Sequence, residues 1–364
     1  VSGPAAGTAV AATTPDVVCL GESMVTFLPS QPGRLADVPS FVRGIGGAES
    51  NVACALAAAG HRAAWVGRVG ADGFGDHLVE AIASYGVDTS AVRRDPVRPT
   101  GIYFRTATDR GTDTHEVAYY RAGSAASAMS PANVPYEELF AGRILHLSGI
   151  TAALSGDCLA LLRELTAPRA GRPLVSFDVN HRPHLWRGGD ASVLLELARR
   201  SDLVFVGEDE AEEAWGIVGA EAVRAALPEP AVVVVKRGSA GATVFASQPG
   251  PGPRSSDAGG AENADTVTHV PALRVDVVAA VGAGDAFAAG FLSATLRGLP
   301  VRDRARHGHL MAAAVLTVPG DLTEPPARDH ADRLVALDDD AWGTLRLGPG
   351  WTAADRAPEE VRTP

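Results

Sequence analysis

Residues 276 to 298 read DVVAAVGAGDAFAAGFLSATLRG, and the chemistry of this stretch centres on one carboxylate, Asp285. Gly282, Ala283 and Gly284 carry little or no side chain, so their backbone N–H groups can approach an anion closely at the start of the helix that the apolar run predicts. A phosphate there would meet unpaired amides and the positive end of the helix dipole. The same field is expected to keep an acid in the first turn ionised. Such an acid can take a proton from an alcohol while the amides hold a transferring phosphoryl group. Taken alone, an Asp after a glycine reads as a first-turn capping acid, so its company decides.

The elements that would position this acid alternate along the chain. VVCLG (17 to 21), AAWVGRVG (63 to 70), RILHLSG (143 to 149), PLVSFDVN (173 to 180), DLVFVG (202 to 207) and AVVVVKRG (231 to 238) are short apolar runs suited to strands buried on both faces. Helical stretches at 49 to 60, 75 to 86, 157 to 167 and 191 to 200 lie between them. Strand and helix in repetition predict a mostly parallel sheet with right-handed crossovers and helices on both faces. VPSFVRG (38 to 44) and the pair TGIYFRTAT and THEVAYYRAG, joined by DRGTD, break the rhythm and alternate like antiparallel strands. They are expected to form a small sheet projecting as a lid, with strands from about 38 to 44 and 100 to 122. In a doubly wound sheet, ligands bind beyond the carboxyl ends of the strands, where the glycine-rich segments RGIGGAESN (43 to 51) and GRVGADGFG (67 to 75) fall. Neither fits a dinucleotide fingerprint, and no Walker P-loop occurs. The segment 247 to 266 and the tail after about residue 326 read as loop or disorder, as does the opening to residue 15.

Composition bounds the partners. The chain has 364 residues, 32 Lys and Arg against 43 Asp and Glu, and a net charge of −11. That balance, without a basic run, argues against a nucleic-acid or anionic-membrane surface. No apolar stretch approaches the roughly 20 residues of a membrane span. Cys19, Cys54 and Cys158 are widely spaced, without zinc or disulfide patterning, and read as buried thiols in a reducing cytoplasm.

The company of Asp285 carries a resemblance. VGAGDAFAAGF resembles the C-terminal signature of the PfkB (ribokinase-like) carbohydrate kinases, and GGAESNVACALAAAG followed by VGRVGADGFGDHL resembles their N-terminal signature in the right order. The resemblance runs from about Val17 to Gly320. It implies an ATP-dependent sugar kinase with a Rossmann-like α/β/α core, a mostly parallel sheet and a β-sheet lid, here as a kinase domain over 16 to 325 and a C-terminal extension over 326 to 364. By the resemblance, Asp285 is the catalytic base, Gly282, Ala283 and Gly284 form the anion hole, and Gly46, Gly47 and Asn51 hold sugar hydroxyls. An amide suits that task because it both donates and accepts.

Within the family, YYRAGSAAS (119 to 127) and DVNHRPHLW (178 to 186) resemble the members acting on 2-keto-3-deoxygluconate. A sugar acid has a carboxylate, and arginine's fork is suited to hold it. The resemblance assigns Tyr103, Tyr119, Arg121 and Arg182 to the keto acid, with its 6-hydroxyl near Asp285. For the tyrosines the other reading is cross-strand packing; for the arginines it is an ordinary salt bridge, or for Arg182 a contact to ATP phosphates. Fructose, or 5-dehydro-2-deoxygluconate, is the alternative substrate, a catalytically silent sugar-acid binder is the alternative class, and nucleoside kinases are relatives.

On the nucleotide side, KRGSAGATVF (236 to 245) resembles the family's hairpin near ATP, which places Lys236, Gly238 and Gly241 there. Lys236 is the only lysine in the chain. Glu210 matches the family's Mg²⁺-organising glutamate, acting indirectly, although Gly207 stands where the family usually has Asn. His309 replaces a common Asn of the adenine pocket and reads either as pocket lining or as a buried helix histidine. Ala279 replaces an Asp of the family's cation site, so activation by K⁺ is not expected. His181 and His184 read as loop histidines rather than metal ligands. A homo-oligomer through the lid follows only by family analogy.

Overall fold

The computed structural model describes residues 14–106, 116–187, 189–247 and 265–353. Its centre is an eight-stranded sheet. In chain order the strands of this sheet and of the lid are β1 (Val17–Leu20), β2 (Met24–Pro29), β3 (Phe41–Gly46), β4 (Ala63–Val66), β5 (Ile102–Arg105), β6 (Val117–Tyr120), β7 (Ile144–Ser148), β8 (Leu174–Asp178), β9 (Leu203–Gly207), β10 (Val232–Lys236), β11 (Ala242–Ala246) and β12 (Thr266–Val270). The central order is β12-β11-β10-β9-β8-β7-β1-β4. The six strands from β10 to β4 are parallel, and β11 and β12 continue the edge antiparallel. Each of the six apolar runs named above supplies one parallel strand. Their unbroken hydrophobicity follows from burial on both faces: every residue of β1, β7 and β9 is buried.

Two apolar layers cover that sheet. On one side α1 (Ala48–Ala58), α2 (Ala283–Leu296) and α3 (Val301–Leu316) pack with Trp65, Phe205, Phe287 and Phe291. On the other, helices Gly156–Thr166 and Ser192–Arg199 pack Leu161, Leu162, Leu194 and Leu197 against Phe177 and Val204. The low amphipathicity of α2 is explained by its place: eight of its residues are buried.

The lid is a four-stranded sheet ordered β3-β2-β5-β6. The strands expected near 38 to 44 and 100 to 122 lie at β3, β5 and β6, and the DRGTD turn falls outside the described residues. Its inner strand β2 went unread in the sequence, because MVTFLP follows β1 after only three residues and looks like part of the same apolar run. β2 pairs antiparallel with β3 and parallel with β5.

The tail expected as loop or disorder after residue 326 contains regular structure within its described part, which runs to residue 353. Helices Arg328–Val335 and Asp339–Thr344 and the short strand Arg346–Leu347 follow, and the strand pairs with Arg274–Val275. Trp342 is fully buried and Trp351 nearly so. Local composition hid this segment, since its apolar anchors are sparse and each needs a partner far away in the chain. Most of the expected loop 247 to 266 and of the opening tail lies outside the described residues. Among the described residues, no helix is long and apolar enough to cross a membrane.

Candidate active site

The carboxyl ends of the parallel strands bring the first charges together. Asp178 ends β8, Gly207 ends β9 and Lys236 ends β10, with Gly207 opposite Lys236 in register. The Lys236 ammonium donates to both Asp178 oxygens at 3.1 Å and stands 4.0 Å from Glu210 Oε2. Burial works to lower the Lys236 pKa, but Asp178 and Glu210 outweigh it and the pKa is raised, so the group stays charged. Glu210 Oε2 accepts from the Gly207 N–H at 2.6 Å, which ties the first turn of helix Glu208–Trp215 to the strand end.

Asp285 faces this cluster from the first turn of α2. Gly282 caps that helix at φ +79°, and a Cβ there would lie 2.6 Å from the Asp321 carbonyl oxygen, so only glycine fits. A Cβ on Gly284 would lie 3.7 Å from Lys236 Nζ, which sets the lysine beside the glycine turn. Asn51, from α1, donates to Asp285 Oδ2 at 2.8 Å. Burial pushes the Asp285 carboxyl up to about 7; the Asn51 bond opposes this, nearby Asp178 adds to it, and Arg182 and Lys236 oppose it. The expectation that the helix dipole keeps this acid firmly ionised is therefore corrected: desolvation and a second carboxylate outweigh the helix field. A carboxyl poised near 7 suits a general base.

The residues that the resemblance assigned to the sugar lie at the lid and the start of α1. Gly46 ends β3, and a Cβ on it would lie 2.2 Å from Tyr103 Oη; one on Gly47 would lie 2.4 Å from the Glu22 carbonyl oxygen. These glycines are demanded by close approach. Asn51 is nearly buried, with Oδ1 left without a partner, an acceptor for a hydroxyl. Tyr103 and Tyr119 oppose each other across β5 and β6, ring centres 5.4 Å apart. Tyr119 also stacks on His184 at 4.8 Å, so the loop after β8 reaches the lid. Arg121 pairs with the buried carboxylate of Glu22, which also accepts from Ser124 Oγ at 2.6 Å. Arg121 thus arrives at the site already neutralised, while Arg182 is 43% exposed and lies 3.5 Å from Glu210. Among the described residues no three His, Cys, Asp or Glu side chains gather as a metal site.

A cleft of about 1800 Å³ opens beside Asp285's helix. Lys236, Gly238, Gly241 and His309 line it together with Ala283 and Gly284. Gly238 and Gly241 have φ of +52° and +102°, as the tight β10–β11 turn requires. His309 Nε2 lies 3.2 Å from the Val270 carbonyl oxygen and its ring stands edge-on to Phe287. Burial lowers its pKa to about 4, so the imidazole is neutral.

Sequence reasoning missed four buried acids. Asp178 was signalled by its place at a strand's carboxyl end. Glu22 and Glu49 lie beside glycine motifs but face partners no local pattern names: Glu49 Oε1 accepts from Ser148 and Thr151, each at 2.8 Å. Asp321 binds Arg105 Nη2 at 2.5 Å and lies 3.4 Å from Tyr103 Oη.

A glycine turn and a carboxyl beside a lysine, a cleft on one side and polar side chains of the lid sheet on the other, set at the strand ends of a doubly wound sheet, match the layout of a small-molecule phosphotransferase. The pfkB family carbohydrate kinase model matches residues 14–328, and the chain belongs to that family as a sugar kinase. It is 33% identical over 319 residues to the 2-dehydro-3-deoxygluconokinase of Bacillus subtilis, covering 86% of this chain and 93% of the relative. The Thermoproteus tenax 2-dehydro-3-deoxygluconokinase is 31% identical over 88% of this chain and 94% of its own length. The crystal structure of the Thermotoga maritima 2-dehydro-3-deoxygluconokinase superposes with a TM-score of 0.71 at 26% identity, covering 88% of this chain and 99% of that one.

Proposed function

We propose that this sugar kinase transfers the γ-phosphoryl group of ATP to the 6-hydroxyl of 2-keto-3-deoxygluconate, with Asp285 as general base. The observation that carries the reading is the Asp285 carboxyl, held by Asn51 behind the Gly282–Gly284 turn with a pKa near 7. In this reading the triphosphate lies in the cleft with its terminal phosphate on the 282 to 285 amides. The sugar lies under the lid. Asp285 accepts the hydroxyl proton as the oxygen attacks in line, and the amides take up charge on the transferring group. Lys236 sits beside the same turn and adds a fixed positive charge toward the phosphates.

Asp178 and Glu210 flank Lys236, so two carboxylates stand where a triphosphate would end. Mg²⁺ keeps several waters and takes few protein carboxylates beside phosphates, and this donor set fits it. Bound there with ATP, it would neutralise charge on the phosphates. Asp178 and Glu210 meanwhile hold Lys236 in place and charged.

Arg182 favours an acidic sugar, and the names of the two 2-dehydro-3-deoxygluconokinase relatives point the same way, while other relatives are named fructokinases. The Arg182 side chain is partly exposed, and Arg121, paired with Glu22, lies with its Cζ 5.7 Å from the centre of the Tyr119 ring. The lid would exclude water that could otherwise consume ATP.

The reading is tested by ADP release from Mg·ATP with 2-keto-3-deoxygluconate, its galactonate epimer, fructose, ribose and adenosine, in wild type and Asp285→Asn. Turnover confined to the keto-deoxy acids and lost in the variant is expected. Turnover of fructose would keep the kinase and discard the arginine argument. Ligand binding without turnover of any acceptor would replace the enzyme with a sugar-acid binder.

A further inference from the structure

The cleft that takes ATP in the proposed function has a wall built from outside the family-matched region. That match ends at residue 328, yet Gly343, Thr344, Arg346, Gly348 and Pro349 line the same cleft as Lys236 and Ala283. We propose that the segment 338 to 349 is the part of this chain that grips the base and ribose of the nucleotide, and so sets its affinity for ATP. The inference rests on the reading of the cleft as a nucleotide site.

The geometry of the cleft divides a bound nucleotide. Triphosphate charge belongs at the end formed by Ala283, Gly284 and Lys236, where helix amides and the ammonium lie. The rest of the molecule, a flat base and a ribose, must lie along the rest of the cleft. There α3 offers Ala312, Ala313 and Leu316, small and aliphatic surface suited to a ring face, and the C-terminal segment stands as another wall.

That wall is held stiffly. Trp342 is fully buried and its Nε1 donates to the Pro271 carbonyl at 3.0 Å. The Arg306 guanidinium, 1% exposed, lies 4.5 Å from the Trp342 ring centre and binds Asp339 at 2.7 Å. Leu345 and Leu347 are buried, and their carbonyls accept from the N–H groups of Arg274 and Asp276 at 3.2 and 3.0 Å. Arg346 closes the outer edge on Asp276 at 2.7 Å. A wall anchored by core side chains and a β-ladder does not have to be ordered when ligand binds, which favours affinity.

Gly343 allows a clean test. Gly343 lines the cleft and a Cβ built on it meets nothing within 4 Å, so a side chain can be started there without an immediate clash. ATP binding in the presence of Mg²⁺ would be titrated calorimetrically in the full chain, alongside KM for ATP and for 2-keto-3-deoxygluconate. Gly343→Trp is expected to weaken ATP at least tenfold, Gly343→Ala less than threefold, with the KM for the sugar acid within twofold of wild type. Gly156→Trp, at another glycine whose Cβ position is open but which does not line the cleft, is expected to change neither. Thr344→Trp, from an exposed position on the same wall, gives the same reading should Gly343→Trp fail to fold. Unchanged ATP affinity in the folded tryptophan variants, with wild type binding ATP normally, would overturn this inference alone. A wild type that does not bind ATP would overturn the functional reading and this inference with it.

Discussion

In the proposed function Asp285 is the base, and its surroundings set its proton affinity. With its pKa near 7, the base is mostly protonated at pH 6, so kcat/KM is expected to rise about tenfold per unit below pH 7 and level off above it. Asp285→Asn should lower kcat by about 10²- to 10⁴-fold, read in the ADP-release assay, while calorimetry still detects ATP. Glu49 is a second acid pushed up to about 7, chiefly by burial, so the same profile is measured in Glu49→Gln, where the inflection should persist. Stability gives an independent readout. The folded protein holds the Asp285 proton more tightly than the unfolded chain does, so ionisation costs stability as pH rises from about 4 through 7. Asp285→Asn should therefore raise Tm at pH 8 and leave it nearly unchanged at pH 4. At this scale the acid and its glycines were legible in the sequence, because a helix start announces itself locally. The partners that tune it were not: Asn51 is 234 positions away, and Asp178 belongs to a different strand.

Two elements meet behind the Gly282–Gly284 turn. The loop after α3 carries Asp321, whose backbone packs on Gly282 and whose carboxylate binds Arg105 of the lid strand β5. Both partners of that pair are buried, so Asp321→Ala would leave an uncompensated guanidinium. A loss of about 3–5 kcal/mol in denaturant unfolding is expected. Gly282→Ala meets two obstacles, a left-handed φ and the Asp321 carbonyl, and should cost roughly 1–3 kcal/mol with a drop in kcat as the amides shift. If Gly282→Ala kept wild-type kcat, the turn would not be holding the phosphoryl group. The strands and helices themselves were largely readable, since runs buried on both faces and helices buried on one leave different periodicities. β2 escaped because pairing, not pattern, separates it from β1.

Across the whole molecule, the C-terminal segment joins the core that the sequence suggested it lay outside. Trp342→Ala removes a fully buried indole from beneath the cleft wall and should cost about 3–5 kcal/mol in unfolding, with weaker ATP binding as the wall loosens. A variant as stable as wild type would mean that this segment is only laid against the domain. The sequence by itself determined the doubly wound architecture, the lid, the glycine turn and the acid that follows it, because each depends on residue types within a few positions of one another. Only the tertiary structure decided that Arg121 is neutralised by Glu22, that Asp285 sits near neutrality beside Asp178, and that residues after 338 wall the cleft. Those outcomes depend on burial and on charges brought together from distant parts of the chain, and neither is written in local sequence.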